Sequence, residues 1–190
     1  EAVGTLTVNA AVDITSKAGI GDFTLLSGAG MTINAAVTGA NNITLKNTTG
    51  DLTLAAPVTT TGAGKTIVLN SVAGGIAFNK GTASLTGSVS AGVTGFIDLS
   101  AGAGGVVQNA GSLVAGGMFS SGGIVGGVVL NSATNSIGAL GGITVTGGNF
   151  SLVSTAALTM SGALLLDAGK TASFAVPEFS ITTGSATSAG

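Results

Sequence analysis

Carboxylates are the main candidates for acid–base chemistry in this sequence, because the chain has no His and no Cys. A glycosidase needs two carboxyl groups about 5–10 Å apart in a groove that also stacks the sugar ring. Asp13 and Asp51 are the pair that could share a face of a coiled fold. The chain has no Trp, Tyr or Arg to bind a substrate beside them, so we interpret the carboxylates as turn caps and solubilising groups. The seven are Glu1, Asp13, Asp22, Asp51, Asp98, Asp167 and Glu178.

Two glycine-rich segments resemble fragments of ligand-binding motifs. Gly19-Ile20-Gly21-Asp22 matches part of the calcium-binding nonapeptide, but that motif works only in tandem. Gly102-Ala103-Gly104-Gly105 lacks the Lys-Ser/Thr of a phosphate-binding loop and the helix that follows it. We therefore expect both to be turns, and we expect no metal site, no cofactor and no enzyme activity.

Charge and aromatic content argue against nucleic-acid binding. Only 6% of the residues are charged and the net charge is −2, whereas phosphate binding needs clustered cations. Aromatic residues make up 4%, too few for a base-stacking platform. Thr-x-Thr pairs such as Thr144/Thr146 do not recur in register, so ice binding is not expected either. The five lysines are scattered, at Lys17, Lys46, Lys65, Lys80 and Lys170.

The elements that must position these residues are short β-strands. Apolar residues alternate with Thr or Ser in short segments, here called bursts, such as Leu6-Thr7-Val8 and Met31-Thr32-Ile33. This period of two is typical of strands. Between the bursts lie Gly, Asn, Ser and Ala, which suit tight corners. With 34 Gly and β-branched bursts, helices are nearly excluded.

The bursts recur at a nearly constant spacing. Leu6, Leu25 and Leu45 are 19 and 20 residues apart, and Ile14, Ile33 and Leu54 are 19 and 21 apart. This predicts an all-β fold, a β-solenoid of nine or ten coils of about 20 residues. We expect it to span residues 1–182, with a Gly/Ser/Ala/Thr-rich tail or linker at 183–190. An antiparallel sandwich is the competing fold.

The solenoid would be stabilised by columns of stacked side chains. We predict that apolar residues stack in the core and that asparagines placed just after bursts either form amide ladders or cap turns. The predicted core residues are Leu6, Ile14, Leu25, Ile33, Leu45, Leu54, Phe150, Leu152 and Leu158. The predicted ladder residues are Asn9, Asn34, Asn70, Asn79 and Asn131.

Two segments of the second half resemble a known family. Residues 106–113, Val-Val-Gln-Asn-Ala-Gly-Ser-Leu, resemble the V-x-Q-x-x-G-x-L turn of filamentous haemagglutinin-type repeats. Residues 129–140 resemble their L-x-x-x-x-N-x-I-x-x-L unit, and residues 149–160 resemble the continuation, with Met160 in place of Val. The resemblance implies a right-handed parallel β-helix from a large secreted adhesin, exported by two-partner (type V) secretion in Gram-negative bacteria.

We therefore expect a non-catalytic structural rod of an extracellular or cell-surface adhesin that mediates attachment or matrix formation. Receptor-binding groups would lie on loops such as 115–127 or in flanking domains. The expected partners are host-cell or matrix glycans or proteins. Two alternatives stay open. One is a self-assembling fibre subunit that polymerises through uncapped ends, because neither 1–15 nor 175–190 looks like a polar cap. The other is a carbohydrate-binding β-helix.

The absence of Cys together with almost no charge fits a bacterial exported chain, which must stay unfolded until it has crossed a membrane. We therefore expect the chain to be secreted and located outside the cell or on a bacterial cell surface. No signal peptide is visible at the start of the sequence. No stretch approaches the ~18 uninterrupted apolar residues of a membrane-spanning helix, so no transmembrane segment is expected.

Overall fold

The chain folds as a stack of parallel β-strand coils. The computed structural model describes residues 2–15, 21–81 and 85–182, together with the backbone of 186–188. This part of the chain contains 22 strands and no helix. Each coil contributes a strand to each side of a three-sided solenoid, and the strands pair in parallel with those of the coils before and after.

The strands follow one another around the solenoid in chain order. The first side is formed by β1 (Leu6–Val8), β4 (Met31–Ile33), β7 (Leu52–Leu54), β10 (Ile76–Phe78), β12 (Val106–Gln108), β20 (Ala172–Ala175) and the later parts of β14 (Ile124–Leu130) and β17 (Ile143–Val153). The second side contains β2 (Val12–Ile14), β5 (Val37–Gly39), β8 (Val58–Thr60), the start of β11 (Val89–Ala101), the start of β13 (Leu113–Phe119) and β15 (Ser136–Ile137). The end of β13 pairs with the end of β11, and β16 (Ala139–Leu140), β18 (Leu158–Met160) and β21 (Phe179–Ile181) stack in turn on the end of β13. The third side contains β3 (Phe23–Ser27), β6 (Ile43–Asn47), β9 (Thr66–Ser71), the end of β11, the starts of β14 and β17, β19 (Leu164–Leu166) and β22 (Ala186–Ser188).

The predicted β-solenoid is confirmed, with eight coils instead of nine or ten. The coils are longer than predicted: successive partners on the first side are 21 to 30 residues apart, and 22 apart in the last three steps. These partners are Leu6, Met31, Leu52, Ile76, Val106, Val128, Phe150 and Ala172. At about 4.8 Å per coil, eight coils give a rod about 38 Å long.

The predicted register of the first coils was wrong. Leu6 pairs with Met31 rather than Leu25, and Ile14 pairs with Gly39 rather than Ile33. The reason is that each coil has three strands, so a step of 19 residues moves from one side of the solenoid to another. Leu25 does pair with Leu45, on the third side.

Alternation within each strand builds the core. In strands such as β4 and β7 the first and third residues are buried, and the Thr between them points outward. Because partners are in register, buried side chains stack on their equivalents, as in the column Ile33, Leu54 and Phe78. Each buried side chain of this size contributes on the order of 1.5–3 kcal/mol.

Glycine is required where the third side turns into the first. A Cβ at Gly74 would overlap the carbonyl oxygen of Gly50, and a Cβ at Gly148 would overlap the backbone of Gly127. Gly105 has a φ of 65°, which L side chains rarely adopt. The coils therefore pack backbone against backbone at this corner.

Several residues named in these predictions lie outside the part of the chain that the structure describes. Glu1, Lys17 and the Gly19-Ile20 half of the partial calcium motif lie outside the described residues. The predicted tail, 183–190, contains β22, whose backbone pairs with β19. The right-handed winding implied by the family resemblance stays a prediction.

Candidate functional site

The predicted core residues differ in how deeply the structure buries them. Those in the middle of the stack, from the second coil to the seventh, are fully or almost fully buried, whereas those in the first coil are only partly buried. The buried set is Ile33, Leu45, Leu54, Phe150, Leu152 and Leu158. The partly buried set is Leu6, Ile14 and Leu25. Within the described residues the first coil pairs with the second coil alone, which accounts for the difference.

The asparagines that follow the first-side strands form separate pairs. The Nδ2 of Asn34 donates to the Oδ1 of Asn9 at 2.9 Å, and Asn109 donates to Asn79 at 2.8 Å. Ala55 occupies the equivalent position between the two pairs, since its N–H bonds the carbonyl oxygen of Ile33.

The other two predicted ladder residues have different partners. Asn131 accepts a hydrogen bond from the hydroxyl of Ser151 at 2.7 Å. Asn70 lies on the third side, between Lys46 and Ser100. Of the predicted ladder only Asn9 and Asn34 bind each other. Asn79 instead binds Asn109, which was not predicted, and Asn70 belongs to another side, so the predicted ladder was wrong as a continuous row.

Five of the carboxylates bind turns of their own or a neighbouring coil. Asp13 lies on the second side and Asp51 precedes a first-side strand, so these two do not share a face. Hydrogen bonds from the backbone N–H and hydroxyl of Thr15 lower the pKa of Asp13. No group of three or more potential metal ligands occurs within the described ranges. The donors are Thr15 for Asp13, Asn42 for Asp22, Gly75 for Asp51, Ser121 for Asp98 and Gly147 for Asp167.

A reciprocal amide pair is buried in the second half. Gln108 Nε2 donates to Asn135 Oδ1 and Asn135 Nδ2 donates to Gln108 Oε1, both at 2.8 Å. Asn135 also accepts the N–H of Leu113 at 2.9 Å and donates to the carbonyl of Leu130 at 3.2 Å, while Gln108 accepts the N–H of Ser132. These are the Gln and Asn of the two family-like segments, and the pair joins consecutive coils.

An apolar groove of about 380 Å³ opens on the surface beside the third side. Its wall is formed by Phe96 and Phe119, whose rings meet edge to face with centroids 6.4 Å apart. A Cβ at Gly117 would lie 3.0 Å from the Phe96 ring, and one at Gly141 would lie 3.0 Å from Phe119 Cβ. Glycine at both positions therefore makes room for the rings, and Phe96 stays 43% exposed.

A buried carboxylate holds the loop beside this groove. Asp98 accepts the N–H of Ser121 at 2.9 Å and its hydroxyl at 2.6 Å, and Ser100 accepts the N–H of Gly122 at 2.9 Å. This loop directly follows Phe119, so Asp98 fixes one edge of the groove. None of the residues that line the groove is charged.

The segment 115–127 was expected to be a receptor-binding loop, but most of it lies in β13 and β14; it contains Gly117 and Phe119. Phe96 was not identified, because it lies in a different coil. The available signal was two Phe residues close to glycines in a stretch, 96–119, whose single charged residue is Asp98.

No family model, no curated protein and no solved structure matches this chain. In the described part of the chain, no helix is long and apolar enough to cross a membrane.

Proposed function

We propose that this chain is a non-catalytic structural rod of an extracellular, adhesin-type protein, and that it attaches to its partner through the groove walled by Phe96 and Phe119. The observation that carries this proposal is the eight-coil parallel stack with a continuous apolar core. In such a stack each coil contacts its neighbours only, so length is added without changing the cross-section.

The use of the polar side chains supports a non-catalytic role. Asp98, the most buried carboxylate of the described residues, accepts two hydrogen bonds from Ser121. Asp51 and Asp167 each accept a backbone N–H of a neighbouring coil. These groups are used to fix turns, so they are not arranged as an acid–base pair facing a substrate.

The groove supports attachment because it is an apolar hollow, walled by two aromatic rings, on a nearly uncharged surface. Exposed aromatic rings provide binding area with little conformational entropy to lose. The absence of charge on its lining favours a neutral partner, either an uncharged glycan or an uncharged protein segment.

A binding assay with matched variants tests the proposal. The purified chain would be immobilised and probed with matrix glycoproteins, host cells and a glycan array. We expect binding that falls at least 10-fold in the double variant Phe96→Ser/Phe119→Ser. Val129→Ser, which places the same polar residue at an exposed apolar position on the first side, should leave binding unchanged.

Three results would count against this function. Absence of binding to every cell, matrix and glycan probe would contradict the attachment function. Equal binding by the groove variant and the wild type would show that the groove is not the binding site. Turnover of any glycan in the same array would contradict the non-catalytic role.

A second candidate function is self-assembly into fibres by stacking of coils. The observation in its favour is the exposure of Phe179 and Ile181 on β21, at 43% and 56%. A coil from another copy could cover these side chains and continue the hydrogen-bonded stack. Sedimentation and electron microscopy would test this: we expect filaments that Ile181→Lys abolishes, and monomers at all concentrations would contradict it.

A further inference from the structure

The sequence contains three Asn-x-Ser/Thr tripeptides, beginning at Asn42, Asn47 and Asn149. This tripeptide is the acceptor for N-linked glycosylation in exported proteins, and the modified residue must remain accessible in the folded chain. The three asparagines differ sharply in their surroundings, so the structure can separate them.

Two of the three cannot carry a sugar in the folded protein. Asn47 is fully buried, and its Nδ2 donates to the carbonyl of Gly50 at 2.8 Å inside the coil. Asn42 is fixed at both ends of its amide: Nδ2 donates to Asp22 Oδ2 at 3.1 Å, and Oδ1 accepts the N–H of Thr66 at 2.8 Å. A glycan at either position would break these contacts.

Asn149 has the surroundings of an acceptor. It is exposed, and its Oδ1 accepts the N–H of Thr171 at 3.1 Å, which orients the amide. Within the described residues no acceptor contacts its Nδ2, the atom that receives a sugar. Ser151 lies two residues further along the same strand, so its hydroxyl points to the same outer surface.

The surface beside Asn149 has room for a sugar. Gly127 occupies the place of Asn149 in the previous coil, so no side chain from that position covers the Asn149 amide. Val129 and Val107 lie on the same side of the solenoid and are 38% and 37% exposed. A sugar extending from Asn149 would cover these valines and supply the hydration that this nearly uncharged surface lacks.

We propose that Asn149 is a glycosylation site, and that its glycan lies along the first side over Gly127 and Val129. The inference rests on the proposed extracellular location. The donor is a sugar activated by a phosphate ester. A bond forms between Asn149 Nδ2 and the anomeric carbon, the anomeric carbon–oxygen bond breaks, the phosphate leaves with the electron pair, and the amide nitrogen loses one proton.

Peptide mapping by mass spectrometry tests this inference. The full chain would be isolated from the extracellular fraction of the cells that produce it. We expect a glycan on the peptide containing Asn149 and none on those containing Asn42 or Asn47. Asn149→Gln and Ser151→Ala should each remove the added mass, whereas Ser151→Thr should retain it.

The control is Asn109→Gln, which changes an exposed asparagine outside any such tripeptide and should leave the added mass unchanged. An extracellular chain with unmodified Asn149, or with a glycan on Asn47, would overturn the inference and leave the rod function intact. A chain found only inside the cell would instead contradict the proposed function.

Discussion

The two halves of the solenoid hold their polar groups in the core differently. In the first half, Ser27, Asn47 and Ser71 occupy the same position in three successive coils and bind mainly the carbonyl oxygens of their own or neighbouring turns. In the second half, Gln108 and Asn135 bind each other. The first arrangement repeats from coil to coil, whereas the second joins one pair of coils.

This difference has energetic consequences. Small polar groups near turns can be replaced by water when they are lost, but a buried reciprocal pair leaves its partner unsatisfied. Asn47 itself has a buried Oδ1 without a hydrogen-bond partner, so part of its contribution is already offset. We therefore expect substitutions to be more damaging at the amide pair than in the serine–asparagine column.

The largest effect should come from Asn135→Ala. The substitution removes four hydrogen bonds, two with the Gln108 amide and one each with the Leu113 N–H and the Leu130 carbonyl. Each bond contributes about 1 kcal/mol, and the buried Leu113 N–H is left without its acceptor, so we expect a loss of about 3–5 kcal/mol. Urea unfolding would measure it. Thr134→Ala, at the exposed neighbouring residue, should cost no more than about 0.5 kcal/mol. Equal losses would contradict the assigned role of the pair.

A double substitution would sharpen this result. Replacing both amides, as in Gln108→Leu/Asn135→Leu, removes donor and acceptor together and should cost clearly less than the sum of the two single changes. Additive losses in the same unfolding experiment would show that the two side chains act independently.

The next largest loss of stability should come from substitutions of the glycines where the third side turns into the first, a corner that both halves share. A Cβ at Gly74 or Gly148 would overlap the backbone of the preceding coil, so we expect Gly→Ala at either position to cost about 1–3 kcal/mol. Gly142→Ala is the matched control, because a Cβ at this position would have no neighbouring atom within 4 Å. Thermal unfolding followed by circular dichroism would compare the three variants, and equal stability of all three would contradict the close packing at the corner.

Asn47→Ala should have a smaller effect. It removes one buried amide whose oxygen has no partner, and the turn carbonyls that it binds can be hydrated, so we expect a loss of about 1 kcal/mol. Urea unfolding beside Asn135→Ala gives the comparison directly. A loss as large as that of Asn135→Ala would mean that the two halves do not differ.

The smallest effect concerns pH. The hydrogen bonds from Thr15 lower the pKa of the exposed Asp13, so its small contribution to stability is present above the unfolded-state pKa and is lost as the pH falls through the folded-state pKa. Thr15→Val removes the hydroxyl donor and should raise the pKa of Asp13 towards its ordinary value. NMR titration would measure this, and an unchanged pKa would contradict the assignment.

Much of the fold could be predicted from local pattern. Bursts such as Leu52-Thr53-Leu54 form strands with the apolar residues inside, as their alternation predicts. The register could not be derived in the same way, because Leu6 and Leu25 lie in similar bursts that belong to different sides. Strands of three residues resemble one another too closely for sequence spacing alone to assign them to a side.

The candidate site was less accessible to prediction. Phe119 lies in the segment 115–127, which was expected to be a partner-binding loop and is formed largely by β13 and β14. Phe96 is more than twenty residues away and becomes its neighbour only because β11 and β13 pair. Asp98 was expected to cap a turn, and it does so from the preceding coil.

The sequence by itself determined that this chain forms short strands with apolar residues inside and glycine at tight corners, since these properties depend on neighbouring residues only. The tertiary structure decided which strands stack, and therefore that Gln108 meets Asn135, that two phenylalanines form a groove, and that Asn149 is the exposed asparagine of three similar tripeptides. Those outcomes depend on the number of residues in each turn, because a shift of one residue in a strand turns a side chain from the core to the outer face.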